Sequence, residues 1–259
     1  SDKFLLLPAG ADHGVALCRG LPDGPLIDLS PHGDAINNLP AFFPLQFIGR
    51  QVEWQQLVAA AVGQEKRLLT LIGPKGMGKT SLALATAHYL FERATFPGGV
   101  LFVQAEGAAN ANELSALIMD ALAEARAGND DDEAAAEPPP IERGVNSMEG
   151  AGGVLSSTLR RLGRCLLLID HIEIGGAGGG AAGMTSLLQS ILGRAPELRL
   201  FLPSTEPLAL PGVAMRQIAL APMPTREAGR LFKALAPRPI TRQELGCDEP
   251  AELKRELQR

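Results

Sequence analysis

The sequence predicts an α/β fold in which a parallel sheet is sandwiched by helices, and three observations support this prediction. Short apolar runs typical of buried strands alternate with longer segments of helical periodicity. A glycine-rich turn joins one of the apolar runs directly to the helical segment that follows it. Hydrophobic residues make up 46% of the 259 residues, which is enough for a sizeable core. Strands that alternate with helices form βαβ units, and these units build parallel sheets with helices on both faces.

The predicted strands and helices follow one another between residues 47 and 236. Strands are predicted at 67–73, 98–104, 164–170, 198–205 and 215–220, and helices at 47–62, 79–93, 112–127, 154–163, 184–195 and 225–236. The helix at 79–93 is apolar on most sides, so we expect it to be largely buried. A further helix is expected from residue 249 onward, and the glycine-rich stretch 175–183 is expected to be flexible.

Composition divides the chain into three parts. Glycine, proline and aspartate interrupt residues 1–45, which we interpret as the tail of an upstream domain followed by a linker. We expect residues 46–222 to form the α/β domain and residues 223–259 to begin a helical domain that continues beyond this sequence. Within the α/β domain, residues 128–152 contain the acidic run NDDDE and three prolines, which predict a flexible insertion. We expect the chain to be a piece of a longer protein.

Charge and cysteine content exclude several classes of protein. The net charge of −5 does not indicate direct contact with nucleic acid. The three cysteines are widely spaced and odd in number, which favours a reducing compartment over a disulfide framework. No apolar run reaches the roughly 18 residues that would cross a bilayer. The sequence therefore predicts a cytoplasmic protein with no contact to a membrane.

The sequence GPKGMGKT at 73–80 matches the phosphate-loop pattern G-x-x-x-x-G-K-[ST], between a predicted strand and a predicted helix. Its glycines let the chain bend so that successive N–H groups and the helix N-terminus form an anion cradle. Lys79 can reach the β- and γ-phosphates, and the Thr80 hydroxyl can bind Mg²⁺. The predicted nucleotide contacts are Gly73, Pro74, Lys75, Gly76, Met77, Gly78, Lys79, Thr80 and Ser81. The pattern predicts a P-loop nucleotide-binding fold.

A second acidic position completes the predicted site. The apolar run Leu166–Ile169 ends in Asp170, and we expect this strand to lie beside the phosphate-loop strand. A carboxylate at that place can hold Mg²⁺, usually through water. In many nucleotide hydrolases a second acid follows the metal acid, but here the next residue is His171. A neutral imidazole can orient water without being a dedicated carboxylate base.

An ordered set of stretches in residues 46–236 resembles the nucleotide-binding module of STAND-class ATPases, the group that includes NB-ARC proteins. These stretches are FIGRQVE at 47–53, GPKGMGKTSLA at 73–83, LLLIDHIE at 166–173, LFLPSTEPLALPG at 200–212 and LAPMPTREAGRLF at 220–232. They are similar, in this order, to the hhGRxxE motif, the Walker A loop, the Walker B strand, the sensor strand and the start of the helical domain of that family. The N-terminal part is similar to the joins between CHAT peptidase-like domains and STAND modules.

The resemblance implies roles for residues outside the phosphate loop. Arg50 would lie near the nucleotide, with Gly49 permitting the turn, and Ser204 at the tip of the sensor strand could sense the γ-phosphate. Glu173 matches the second acid of the family's Walker B pattern, and it shares a strand face with His171 if that strand continues. Thr205 stands where the family has an arginine, so a cation that reads the γ-phosphate is missing at this position.

The resemblance implies a signalling switch for signal transduction that binds ATP or ADP with Mg²⁺ and hydrolyses ATP slowly. Its partners would be the nucleotide, other domains of a longer parent protein and, on activation, further copies of itself. The alternative is a scaffold that keeps ADP bound and does not hydrolyse ATP, which the departures at His171 and Thr205 favour. A third alternative, a subunit of an AAA+ motor ring, lacks a recognisable arginine finger.

Overall fold

Alternating strands and helices form the architecture, in the order that the apolar pattern predicts. The computed structural model describes residues 35–40, 48–63, 65–127, 148–172, 180–208 and 210–236. In chain order the elements are β1 (Ile36–Asn37), α1 (Gln51–Val62), β2 (Leu68–Ile72), α2 (Lys79–Glu92), β3 (Gly99–Gln104), α3 (Ala111–Ala127), α4 (Met148–Leu162), β4 (Leu166–Asp170), α5 (Gly180–Arg194), β5 (Arg199–Ser204), β6 (Met215–Ala219) and α6 (Thr225–Leu235). Residues 1–34 and 41–45 of the predicted tail and linker at 1–45, and the predicted helix from residue 249, lie outside the described residues.

The described strands form one sheet in the order β1-β3-β4-β5-β2-β6, and every pairing in it is parallel. The predicted α/β fold is therefore confirmed. The expectation that the strand ending in Asp170 lies beside the phosphate-loop strand is wrong, because β5 lies between β4 and β2. All three strands are buried apolar runs, and nothing in such a run specifies which neighbour it pairs with.

Two apolar layers, one on each face of the sheet, make up the core. Successive side chains of a strand point to opposite faces. In β4, Leu167 and Ile169 accordingly pack with α3, α4 and α5, whereas Leu166 and Leu168 pack with α1 and α2. Burying one such leucine or isoleucine contributes about 1.5–3 kcal/mol to stability. The sheet is therefore held rigidly between two helical layers.

Several boundaries differ from the sequence prediction. Residues 36–37, assigned to a linker, form the edge strand β1, which pairs with Gly99 and Val100. Gly99 has φ of 101°, and a Cβ at this residue would collide with the backbone of Ile36, so glycine permits this pairing. Helix α4 begins at Met148, so the last residues of the predicted insertion 128–152 are helical. Likewise α5 begins at Gly180, inside the stretch expected to be flexible.

No helix in the described part of the chain combines the length and the apolar character needed to cross a membrane.

A candidate nucleotide site at the carboxyl ends of the strands

The phosphate-loop sequence forms an open turn between β2 and α2. Gly76 and Gly78 have φ of 84° and 82°, and no atom lies within 4 Å of the position that a Cβ would take at either residue. Helix α2 begins at Lys79, and its N-cap Gly78 supplies no side-chain cap. The first N–H groups of a helix have no partner within the helix, so this end can receive an anion. The geometry fits the predicted phosphate cradle.

The Lys79 side chain folds back onto the start of this loop. Its Nζ donates hydrogen bonds to the carbonyl oxygens of Gly73 at 2.8 Å and Pro74 at 2.9 Å. Partial burial lowers the pKa of Lys79, and the negative charge of Asp170 partly opposes this shift. The ammonium is therefore held next to the cradle, where a phosphate oxygen is a stronger acceptor than a carbonyl.

Other residues of the loop differ in exposure. Pro74, Lys75 and Ser81 are exposed, and Met77 and Thr80 are half-buried. Lys75 forms no ion pair within the described residues, which agrees with a solvated side chain. Thr80 lies in the first turn of α2, directly after Lys79. The loop thus keeps its polar groups open to a ligand, and the assigned contacts of its residues stay predictions.

Asp170 ends β4 and is buried, and its Oδ2 atom forms no hydrogen bond within the described residues. The Nδ1 atom of His171 lies 3.1 Å from that oxygen, at ion-pair distance but without hydrogen-bond geometry. A buried carboxylate oxygen without a donor is costly unless a cation compensates it. Asp170 and Thr80 offer oxygen ligands, which Mg²⁺ prefers, so the residues fit this ion.

Mg²⁺ would depend on the nucleotide for most of its ligands. Within the described residues, no three His, Cys, Asp or Glu side chains are grouped so that they could hold a metal ion. Mg²⁺ is usually bound through one or two protein oxygens, substrate phosphates and water rather than by a complete protein cage. A single carboxylate beside a phosphate cradle agrees with this mode of binding.

His171 follows the last residue of β4. Its φ of 57° is left-handed, and the strand stops at Asp170. The condition under which Glu173 would share a strand face with His171 is therefore not met, because a left-handed residue breaks the alternation of side chains. Glu173 itself lies outside the described residues, so its catalytic role stays a prediction. The His171 side chain is 46% exposed and its ring lies close to the Asp170 carboxylate.

Ser204 lies next to the phosphate loop. It is paired with Ile72 at the end of β5, and its carbonyl oxygen accepts the N–H of Gly73 at 3.3 Å. Its hydroxyl oxygen accepts the N–H of Glu206 at 3.2 Å, which leaves the hydroxyl proton free to donate. Thr205, which stands where the resemblance predicts arginine, is exposed. The position of Ser204 fits a sensor, although the strand order that produces it was not predicted.

Comparison with protein families decides the assignment. The model of the AAA ATPase domain matches residues 46–254. The chain belongs to this family. It is a nucleotide-binding AAA-type ATPase module, which agrees with its open loop and buried acid. No curated protein matches it.

Solved structures similar to this AAA module share its fold. The Walker-type ATPase PABY2304 of Pyrococcus abyssi superposes with a TM-score of 0.52 at 13% identity, over 83% of this chain and 65% of that one. Cdc6p from Pyrobaculum aerophilum gives 0.51 at 18% identity, over 74% and 50%. The Aeropyrum pernix ORC1 protein in complex with DNA gives 0.51 at 22%, over 76% and 51%. The chain thus spans between half and two thirds of these proteins.

Gly49 and Arg50 form a turn, here called the GR turn, in front of α1. Both residues are left-handed, with φ of 78° and 54°. The buried Arg50 guanidinium donates to the Ala221 carbonyl at 2.9 Å and to Glu53 at 3.3 Å. These contacts place the guanidinium on protein groups at the joint between the sheet domain and α6. Its proposed proximity to nucleotide stays a prediction.

Two residues that the sequence analysis did not single out complete this joint. The Leu220 N–H donates to the Ile72 carbonyl at 2.7 Å, and the Leu220 Cβ lies 3.3 Å from the position of a Cβ on Gly73. Glu227 in α6 accepts the backbone N–H of Arg50 at 3.3 Å. Both lie in the stretch LAPMPTREAGRLF, so the resemblance located the segment without indicating its contacts.

Proposed function

We propose that this AAA module is a nucleotide-held signalling switch of the STAND or NB-ARC type, which binds ATP or ADP with Mg²⁺ and hydrolyses ATP slowly. One observation carries the proposal: the buried Oδ2 atom of Asp170 lacks a donor, while its charge acts on Lys79 beside an open phosphate cradle. This combination fits a triphosphate or diphosphate with its cation better than it fits a purely structural turn.

The roles of the residues follow from their positions. The N–H groups of the loop and of the first turn of α2 bind the phosphates, and Lys79 exchanges its carbonyl partners for phosphate oxygens. Thr80 and Asp170 would hold Mg²⁺, which when bound neutralises the charge that develops on the phosphates. Ser204, next to Gly73, donates its hydroxyl proton towards the terminal phosphate or its attacking water.

Slow turnover is proposed because the water-activating groups are incomplete. His171 replaces the expected second acid, and its ring leans back towards Asp170. Thr205 replaces the arginine of the family pattern, and a catalytic arginine contributes about 10³–10⁵ in rate where one is used. Glu173 remains the proposed base. Binding energy would therefore be used mainly to hold the sheet domain against the helical segment that α6 begins.

The second candidate function is a scaffold that retains ADP without hydrolysing ATP. The same two positions favour it, His171 by its contact with Asp170 and Thr205 by its exposed hydroxyl in place of a cation. In this case assembly would depend on neighbouring domains, with the nucleotide acting as a fixed structural ligand. Lys79 and Thr80, which match the phosphate-loop pattern, are compatible with both functions and do not separate them.

We propose nucleotide, other domains of a longer parent protein and further copies of the chain as partners, in the cytoplasm. The Aeropyrum pernix ORC1 protein was solved in complex with DNA. The net charge of this chain is −5, which opposes the phosphate contacts on which DNA affinity depends. We therefore do not propose direct contact with nucleic acid.

Nucleotide exchange separates switch from scaffold. One sample of the purified chain is denatured to measure its bound nucleotide, and a second, folded sample is offered labelled ATP and ADP with Mg²⁺. A switch exchanges both nucleotides and converts bound ATP to ADP in a slow single turnover, whereas a scaffold retains ADP and exchanges neither. Absence of any bound or acquired nucleotide contradicts both functions.

A further inference from the structure

We propose that Glu227 is a positioning residue that fastens α6 to the GR turn beside the nucleotide site. Its Oε2 atom accepts the backbone N–H of Arg50 at 3.3 Å, across 177 positions of sequence. A glutamate in the first turn of a helix is often explained by the helix dipole alone. Here the carboxylate also bonds a distant segment, so Glu227 joins two parts of the module.

Gly49 makes the close approach possible. A Cβ on Gly49 would lie 2.6 Å from Oε2 of Glu227, closer than real Cβ contacts occur. The φ of 78° at Gly49 is also left-handed, which disfavours other residues. Gly49 therefore serves two purposes, since it shapes the turn and leaves room for the carboxylate on α6.

The remainder of α6 is weakly attached to the sheet domain. None of its residues is buried, and its apolar side chains Phe232 and Leu235 are 63% and 71% exposed. The hydrophobic effect therefore contributes little to holding α6 in place. Within the described residues, α6 forms one long-range hydrogen bond, in which Glu227 accepts the backbone N–H of Arg50 in the GR turn. Such an attachment can open without unfolding the core.

The GR turn is linked to the phosphate loop indirectly, through Ala221 and Leu220. Arg50 donates to the carbonyl of Ala221, whose neighbour Leu220 lies against Gly73. Gly73 begins the phosphate loop, and its carbonyl accepts a hydrogen bond from Lys79. A phosphate that draws Lys79 away from Gly73 therefore changes the loop residue on which Leu220 rests. We infer that attachment of α6 responds to nucleotide, a step that rests on the proposed function.

Hydrogen exchange of α6 amides tests the attachment. The full chain is compared with Glu227→Ala, Glu227→Gln and the matched control Arg230→Gln on an exposed position of the same helix, each without nucleotide and with ADP and Mg²⁺. We expect Glu227→Ala to speed exchange of residues 225–235 about tenfold, the effect of losing one hydrogen bond to a charged group. Glu227→Gln should fall between this variant and wild type, because the amide oxygen still accepts the Arg50 N–H.

The nucleotide response supplies a readout that a purely structural contact would not change. Wild-type α6 should exchange at a different rate when ADP is bound, and ADP should dissociate faster from Glu227→Ala than from Arg230→Gln. Gly49→Ala should lower the free energy of unfolding less in the Glu227→Ala background than in wild type, because the clash with the Glu227 carboxylate is absent.

The outcomes are distinct. Exchange in Glu227→Ala that equals that of Arg230→Gln overturns the attachment. ADP binding without any change in α6 overturns the response to nucleotide. If wild type binds no nucleotide, the proposed function fails, and the nucleotide-free comparison of the two variants still decides the attachment.

Discussion

His171 Nδ1 lies 3.1 Å from Asp170 Oδ2, at the residue where β4 ends. The left-handed backbone of His171 turns the chain out of the strand and brings the imidazole back towards the carboxylate. The residue that stands in place of the expected second acid thus contacts Asp170, the predicted Mg²⁺ ligand. The backbone conformation of His171 therefore affects how accessible Asp170 is to a cation.

Asp170→Asn should separate nucleotide binding from its dependence on Mg²⁺. The substitution preserves shape and removes a buried charge whose Oδ2 atom has no hydrogen-bond donor, so the melting temperature without nucleotide should not fall. In wild type, ligand at 100 times its Kd should add about 2.7 kcal/mol of stability. In Asp170→Asn, the rise in melting temperature that nucleotide causes should be the same with and without Mg²⁺. Asp120→Asn, an exposed change of the same kind, is the control. An undiminished Mg²⁺ effect in Asp170→Asn would remove Asp170 from the metal site.

Lys79→Ala should weaken binding of ATP and ADP by about 10- to 100-fold, since a charged hydrogen-bond donor to the phosphates is lost. Isothermal titration with each nucleotide measures the change. Lys233→Ala, on the exposed surface of α6, is the matched control and should bind as wild type does. Equal affinity in the two variants contradicts the assignment of the loop.

His171→Asn and Glu173→Gln should distinguish the two catalytic candidates. Asparagine tolerates the left-handed backbone at 171, so the free energy of unfolding should change by only about 0.5 kcal/mol. Because the imidazole leans towards Asp170, we expect ATP hydrolysis by His171→Asn to stay close to wild type. Loss of a general base costs about 100-fold or more, which we expect for Glu173→Gln. Single-turnover hydrolysis of labelled ATP measures the rate of each variant. If His171→Asn is slow and Glu173→Gln is close to wild type, His171 rather than Glu173 activates the water.

Cys165 should resist alkylation in the native protein. Burial, and secondarily the negative charge of Glu197, raise the pKa of the Cys165 thiol from 9.0 to about 12. The thiolate is the reactive form, so labelling by iodoacetamide at pH 8.5, followed by peptide mass spectrometry, should be slow until guanidinium unfolds the chain. Because the unfolded thiol loses its proton first, the free energy of unfolding should fall as pH rises between 9 and 12. Rapid labelling of folded protein would show that the site is open.

The sequence and the structure agree on the fold class, but the sequence did not predict every element. The loop at 73–80 and the apolar runs were sufficient to predict a P-loop α/β fold, which the family match at 46–254 supports. The β1 strand at Ile36–Asn37 was not predicted, because two residues carry no periodicity and the strand exists through its pairing with Gly99. The end of β4 at Asp170 was predicted correctly. The left-handed turn at His171 was not predicted, since it leaves no apolar pattern to read.

The sequence by itself determined the chemistry of the phosphate loop, because eight consecutive residues carry the glycines, the cation and the hydroxyl together. It also determined the fold class, since alternating apolar periods require buried strands between helices. Only the tertiary structure decided that β5 separates β4 from β2, and that Glu227 reaches the GR turn. Those relationships join residues far apart in the chain. They depend on how the strands are ordered and how closely two backbones approach, and no local pattern encodes either.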